Sequence, residues 1–288
     1  MKTTLTAITT ASLIAANANA VPVTSGLIQD LDAEVGVTTS GTDVTAWVNQ
    51  GSAGDDVTSG TGGAQLVASA TPGGQAAVRF TNDRLVGDDA AAFDSIVQGS
   101  GLTWIAVINP GAQAGSDNPG KNAIFGTLEN SSGFNGYVGG IDNAESVYGL
   151  ERANSGADER TTGATTGLDA GWVIVVGRVA AGTGSVLQEV FVNSATADGS
   201  SNITIGAAGE ADLLAIGAER AGGAAPEYYD GDLARLLIYN RPLTDQELDQ
   251  VGFDLATTYG ISTTFVLEPS SLALLGLGGL LIARRRRA

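Results

Sequence analysis

The sequence predicts an all-β body closed by one helix. Three observations carry this. Short apolar runs rich in Val, Ile and aromatic residues are cut by joints of Gly, Asn, Asp and Ser, as strands and turns require. No helical period lies between those runs. A single helix-start sequence stands near the end of the body.

The runs, in order, are Leu102–Ile108, Ala123–Leu128, Trp172–Val179, Val186–Val192, Leu213–Gly217 and Leu233–Tyr239. Glycine-rich joints such as Gly60–Gly63 and Gly222-Gly223 separate strands. Many short strands without intervening helices argue for a sandwich or a closed barrel. The absence of a fixed-period repeat argues against a solenoid or propeller. The helix start is Thr244-Asp245-Gln246-Glu247, after Pro242-Leu243. Thr244 can accept from the Glu247 amide while Glu247 reaches back, a capping box. Leu248, Val251, Leu255 and Tyr259 follow at helical spacing, and Gly260 supplies the stop. This predicts a helix over 245–259 whose stripe packs on the sheet as core.

Composition narrows function. The chain of 288 residues has no Cys and no His, and its net charge is −17. Disulfides are excluded, so the core must suffice. Ser-His and Cys-His mechanisms are excluded with them, and so is the usual zinc ligand. The acidic surface repels nucleic acid and anionic headgroups. It suits divalent cations, although distributed acidity also reads as a solvated exterior.

Both ends carry addresses. Residues 1–20 hold Lys2, an uncharged stretch with Leu5, Ile8, Leu13 and Ile14, and a small-x-small close at Ala18-Asn19-Ala20. This reads as a secretory signal peptide cut after Ala20. The tail, 263–288, contains Glu268-Pro269, an uncharged run over 270–283, and Arg284, Arg285, Arg286 and Arg287. As a helix the run reaches about 21 Å, against a hydrocarbon core of about 30 Å. It is a short membrane helix, with arginines that would hold its end on the cytoplasmic side of the inner membrane. These residues resemble the PEP-CTERM sorting tail of envelope proteins from exopolysaccharide-making bacteria. Leu267 stands where that motif has its first proline. The resemblance implies transient anchoring, then removal by an exosortase-type enzyme as a passing partner.

The body, 21–262, resembles the concanavalin A-like, laminin-G-like jelly roll of secreted proteins. Gly26–Ala33 is similar to that family's first strand. Trp47-Val48-Asn49-Gln50-Gly51 is similar to its Trp-x-(Asp/Asn)-x-(Ser/Gly) turn. Ala77–Phe80 and Thr103–Val107 are similar to later strands, and Gly231–Thr244 to its last strand running into a closing helix. The fold implied is a two-sheet antiparallel jelly-roll sandwich. Some relatives are glucanases with a Glu-x-Asp-x-x(-x)-Glu set on one strand. Here Glu210-Ala211-Asp212 supplies two acids, but Leu214 and Ala215 occupy the places of the second glutamate. A hydrolase needs that second carboxylate, so the body is expected not to be an enzyme.

Jelly rolls of this kind often hold calcium at the rim. The candidate ligands are Asp30 and Asp32, Asp142, and Asp230 and Asp232, because hard cations want clustered oxygens. None has the spacing of a dedicated loop, and solvated acids are the alternative for each. Tyr228-Tyr229, beside Pro226 and Gly231, is the candidate sugar platform. Trp47 is open between platform and core, whereas Trp104 and Trp172 lie inside apolar runs and read as core. Two function classes follow: an envelope module that binds glycan or exopolysaccharide, or a structural surface protein with no dedicated ligand.

Overall fold

The computed structural model describes residues 20–53, 56–87, 91–112, 121–128, 136–142, 144, 146–152, 159–163, 168, 171–206, 211–222 and 227–266. The expected signal peptide up to Asn19, Glu210, and the tail from Leu267 onward lie outside the described residues. Within them the strands are β1 (Leu27–Asp32), β2 (Val37–Ser40), β3 (Asp43–Trp47), β4 (Val57–Thr61), β5 (Gln65–Val67), β6 (Ala77–Thr81), β7 (Arg84–Val86), β8 (Leu102–Pro110) and β9 (Lys121–Gly126). They continue with β10 (Gly136–Asp142), β11 (Val147–Arg152), β12 (Glu159–Thr162), β13 (Val173–Val179), β14 (Gly184–Val192), β15 (Gly199–Ile205), β16 (Ala215–Ile216) and β17 (Asp230–Tyr239). Two helices complete the list, α1 (Ala91–Ser95) and α2 (Asp245–Tyr259).

The strand ladders are antiparallel and form two layers. In the first, β17 lies between β8 on one side and β1 and β6, end to end, on the other. β13, β14 and β15 extend this layer beyond β8. The second runs β3, β4, β7, β16, β9, β10, β11, β12, with β2 outside β3. β5 bridges β3 to β6 and joins the layers at one edge. This is the expected all-β sandwich, and pairing at both ends of the sequence makes it one unit.

Alternation along each strand builds two cores. On β8, Trp104, Ala106 and Ile108 face the second layer, while Ile105 and Val107 face outward. Trp104 meets the ring of Phe125 edge-on at 5.6 Å, and Phe125 stacks on Tyr137 at 6.3 Å. The indole fits because two strand residues beside it lack side chains. A Cβ on Gly177 would lie 2.1 Å from Trp104 Nε1, and one on Gly139 would lie 2.7 Å from its Cε2. The outer core is the helix stripe. Leu248, Val251, Leu255 and Tyr259 of α2 cluster with Ile105, Val107, Ile174, Val176, Leu237 and Tyr239. Burying each such side chain stabilises by about 1.5–3 kcal/mol.

α2 begins and ends where the sequence predicts. Thr244 Oγ1 accepts from the Glu247 amide at 3.2 Å, and Glu247 accepts from the Thr244 amide at 3.0 Å. Gly260, at φ +69°, closes it in the left-handed region. The sequence reading has no counterpart to α1, which runs into a wider turn at Ile96–Ser100. Phe93, Ile96 and Val97 are buried there, too few residues to show a period. Strand Leu213–Gly217 shortens to β16, and the joint expected at Gly60–Gly63 is partly strand β4.

Candidate functional site

A charged pocket lies at the junction of β1 and β17. The register of β17 against β8 shifts between Leu233 and Arg235, a bulge at Ala234. An extra residue there turns Arg235 toward the helix side, with Ala234. Arg235 is buried and donates to Asp30 from Nε and from Nη2, each at 2.9 Å. Its contact with Asp32 is longer, 3.4 Å. Asp32 also accepts from the Glu34 amide at 3.0 Å and from the Tyr259 hydroxyl at 3.4 Å. Burial raises the Asp32 carboxyl above its ordinary range, and attraction to Arg235 offsets only part of this. Burial works against the Arg235 charge, yet the hydrogen bonds and attraction to Asp30, with Tyr259 and Asp32 added, together outweigh it and hold the guanidinium ionised. Asp30 is therefore the partner that satisfies Arg235, and Asp32 is the less compensated acid. The pocket above them has a volume of about 230 Å³, with Thr24, Leu27, Val35 and Gln50 in its walls.

The turn that resembles the family's Trp-x-Asn-x-Gly supports this pocket. Asn49 Oδ1 accepts from the amides of Asp30 and Gly51 at 2.8 and 2.7 Å, and its Nδ2 donates to the Ile28 carbonyl at 2.9 Å. A Cβ on Gly51 would lie 2.4 Å from that same carbonyl oxygen, so the turn needs glycine. Trp47 is fully buried, and its indole N–H donates to the Asp32 carbonyl at 3.0 Å. Trp47 thus offers no face to a sugar; it is core.

A second polar cluster lies on the outward face of β9 to β12, beside Glu219 and Glu227. Tyr148 is fully buried, and the Arg160 guanidinium stacks over its ring at 4.5 Å. Burial first, then Glu219, Glu227 and Asp142, push the Tyr148 hydroxyl up, while Arg160 pulls it down. Glu219 and Glu227 are buried, and Tyr228 pairs with Ala123 and Ala218. Sequence reasoning missed this cluster. Its one local signal was acidic residues near aromatics in a loop, which is also how a solvated loop reads.

The remaining expected site residues are placed as follows. Tyr228 is half-buried just before β17, but Tyr229 is fully buried against Phe80 and donates its hydroxyl to the Asp232 carbonyl at 3.2 Å. Adjacent residues on a strand point to opposite faces, so the pair cannot form one platform. Asp142 is buried, accepts from the Ala144 and Ser146 amides, and pairs with Arg160 at 2.6 Å. Asp232 pairs with Arg79 at 2.7 Å. Asp30, Asp32, Asp142 and Asp232 thus each have a cationic partner in the fold, where a calcium ligand was expected. Asp230 is half-buried; burial, then Asp83, raise its carboxyl, and Arg79 opposes them. Among the described residues no three acidic side chains gather closely enough to hold a metal ion. Asp212 lies before β16, where its carboxylate accepts from the Leu213 amide at 2.8 Å. Trp172 packs at the edge of the outer core and donates to the Ala70 carbonyl at 3.1 Å. Among the described residues no helix is long and apolar enough to cross a membrane.

Similar proteins agree with this architecture. Botulinum neurotoxin type C, whose cell entry depends on interaction with two ganglioside molecules, superposes with a TM-score of 0.56 at 10% identity, over 80% of this chain and 51% of that one. The binding domain of botulinum neurotoxin serotype D/C superposes with a TM-score of 0.55 at 10% identity, over 80% and 52%. Trypanosoma rangeli sialidase, bound to the inhibitor DANA, superposes with a TM-score of 0.54 at 16% identity, over 84% and 34%. The chain spans about half the length of these neurotoxin chains and about a third of the sialidase. At such identities the likeness is one of fold. No curated protein matches the chain in sequence. A family model described as the concanavalin A-like lectin/glucanases superfamily matches residues 73–249, from before β6 into α2. With more than half of its length matched, and with the sandwich, the bulged last strand and the closing helix in place, the chain belongs to the laminin-G-like branch of the concanavalin A-like lectin/glucanase superfamily.

Proposed function

We propose that this chain is an exported, non-hydrolytic glycan-binding module of the bacterial envelope. The observation that carries the reading is membership of the concanavalin A-like lectin/glucanase superfamily. The neurotoxin likeness, with its gangliosides, points the same way. The recognition surface is the stretch Tyr228–Asp230 at the start of β17. Tyr228 and Asp230 are half-buried there, and Arg79 is half-exposed near Asp230. An aromatic edge beside donors and acceptors suits a polyhydroxylated ligand. Calcium, as the sequence suggested it, would belong at Asp230. Export rests on residues 1–20. Retention and release rest on Glu268-Pro269 and Arg284–Arg287, read by an exosortase-type enzyme.

Glycan-array binding of the chain from producing cells tests this, with and without chelator. Tyr228→Ala should weaken retention about three- to tenfold, as loss of a ring contact worth about 0.7–1.4 kcal/mol implies. The same preparation should release no reducing sugar. Its intact mass should show an end near Pro269. Failure to bind any polysaccharide would favour a structural surface protein, to which the acidic exterior also suits. A mass that still ends at Ala288 would make the tail a plain anchor.

A further inference from the structure

The two residues flanking the expected export cut, Ala20 and Val21, line the same pocket as Asp30, Asp32 and Arg235. The chain is fastened to the fold from Val21 onward. Val21 and Val23 are buried in the outer core with Leu27 and Tyr239. The Tyr239 hydroxyl donates to the Val23 carbonyl at 3.0 Å, and Arg241 Nε donates to that of Ser25 at 2.9 Å. Ala20 is exposed. Val21 is therefore held by the fold at the position that a cut after Ala20 would make the first.

The charges in the pocket do not balance. Two carboxylates share one guanidinium, which spends its two short bonds on Asp30 and reaches Asp32 only at 3.4 Å. Breaking the balance of buried charge is costly, so a second cation here would be well placed. We propose that removal of the leader after Ala20 seats the new Val21 α-ammonium in this pocket as the counter-ion of Asp32. Hydrolysis of the Ala20–Val21 peptide bond, by the signal peptidase of the exporting cell, consumes one water. Ala20 leaves as a carboxylate, and the neutral amide nitrogen of Val21 becomes an ammonium with three donors. Processing would then complete the ionic cluster under α2. Because Val21 is buried in the folded body, the cut must precede closure of the domain around it.

The proposal rests on the export reading, and the test separates the two. Chains 21–288 and 15–288, each with a defined first residue, are compared by thermal melting. The groups around the pocket are Asp30 and Asp32 from β1, Glu34 after it, Arg235 from β17, and Tyr259 and Asp254 from α2, with Tyr239 nearby. Burial holds the tyrosines above their usual range, and Arg235 stays charged. The amine, with an ordinary pKa of about 8, is then the group that changes on going from pH 7 to pH 10. The chain starting at Val21 should melt about 2–4 °C higher at pH 7, the gap should close by about pH 10, and Asp32→Asn should remove most of it. Acetylating the Val21 amine should reproduce the loss without any substitution. Equal melting at pH 7, or a gap indifferent to both pH and acetylation, overturns the seat. Sequencing the first residue of the exported protein reads the cut on its own: a start other than Val21 refutes the processing step, whatever the melting shows.

Discussion

Asp30 and Arg235 stand at opposite ends of the body, yet they exchange two hydrogen bonds of 2.9 Å in a buried setting. Removing one member of such a pair leaves the other charged and without its best partner, which costs far more than the pair's net worth. Asp30→Ala should therefore lower stability by about 3–5 kcal/mol. Asp32→Asn should cost less, since Arg235 leans on Asp30. Urea titration at constant m-value reads both, and a loss below about 1 kcal/mol for Asp30→Ala would contradict the assignment. These two aspartates stand at strand spacing in the sequence, where they suggest a cation. What Asp30 pairs with is an arginine that only the β1–β17 pairing delivers. Tyr229 makes the same point: beside Tyr228 in sequence, it turns to the opposite face and is buried.

At the scale of the element, α2 shows local chemistry that can be read directly. Thr244, Glu247 and Arg241 lie within seven residues, and all three meet. Arg241 donates to the two Glu247 carboxylate oxygens at 2.9 and 2.7 Å. That pairing first, against some burial, and then the Thr244 amide hold the Glu247 carboxyl down at about 2, from an ordinary 4.5. Its folded pKa is thus below its unfolded one. The stability it contributes is complete above about pH 4.5 and is lost as pH falls toward 2. Glu247→Gln should cost about 1–2 kcal/mol at pH 7 and almost nothing near pH 2. Chemical melts at the two pH values check this, and an equal cost at both would refute it. The capping box was legible because its parts sit three residues apart. The bulge at Ala234 was not, because nothing in Leu233-Ala234-Arg235 differs from an ordinary buried strand.

Across the whole molecule, the layers depend on one another through β5, β6 and the long β17. Trp104 spans them and requires glycine both on β13 beside it and on β10 in the facing layer. A methyl at Gly177 would lie 2.1 Å from the indole nitrogen, so Gly177→Ala overpacks the centre of the sandwich. Overpacking of this kind typically costs 1–3 kcal/mol. The variant should lower the midpoint of a single transition, not split it, because the strand pairings cross the sequence from end to end. Calorimetry that resolves two transitions would show that the layers fold separately.

The all-β class, the strands around Trp104, the limits of α2 and the exclusion of His- and Cys-based chemistry were determined by the sequence itself. Each depends on local period, on residues a few positions apart, or on composition, and such information is carried by the chain without folding. The tertiary structure decided which charges are paired and which aromatics are buried. Asp30 needs Arg235, Asp142 needs Arg160, Asp232 needs Arg79, and Trp47 needs the carbonyl of Asp32. Strand pairing makes these partners neighbours across long stretches of chain, and a carboxylate looks the same in sequence whether water, a metal or a distant arginine completes it.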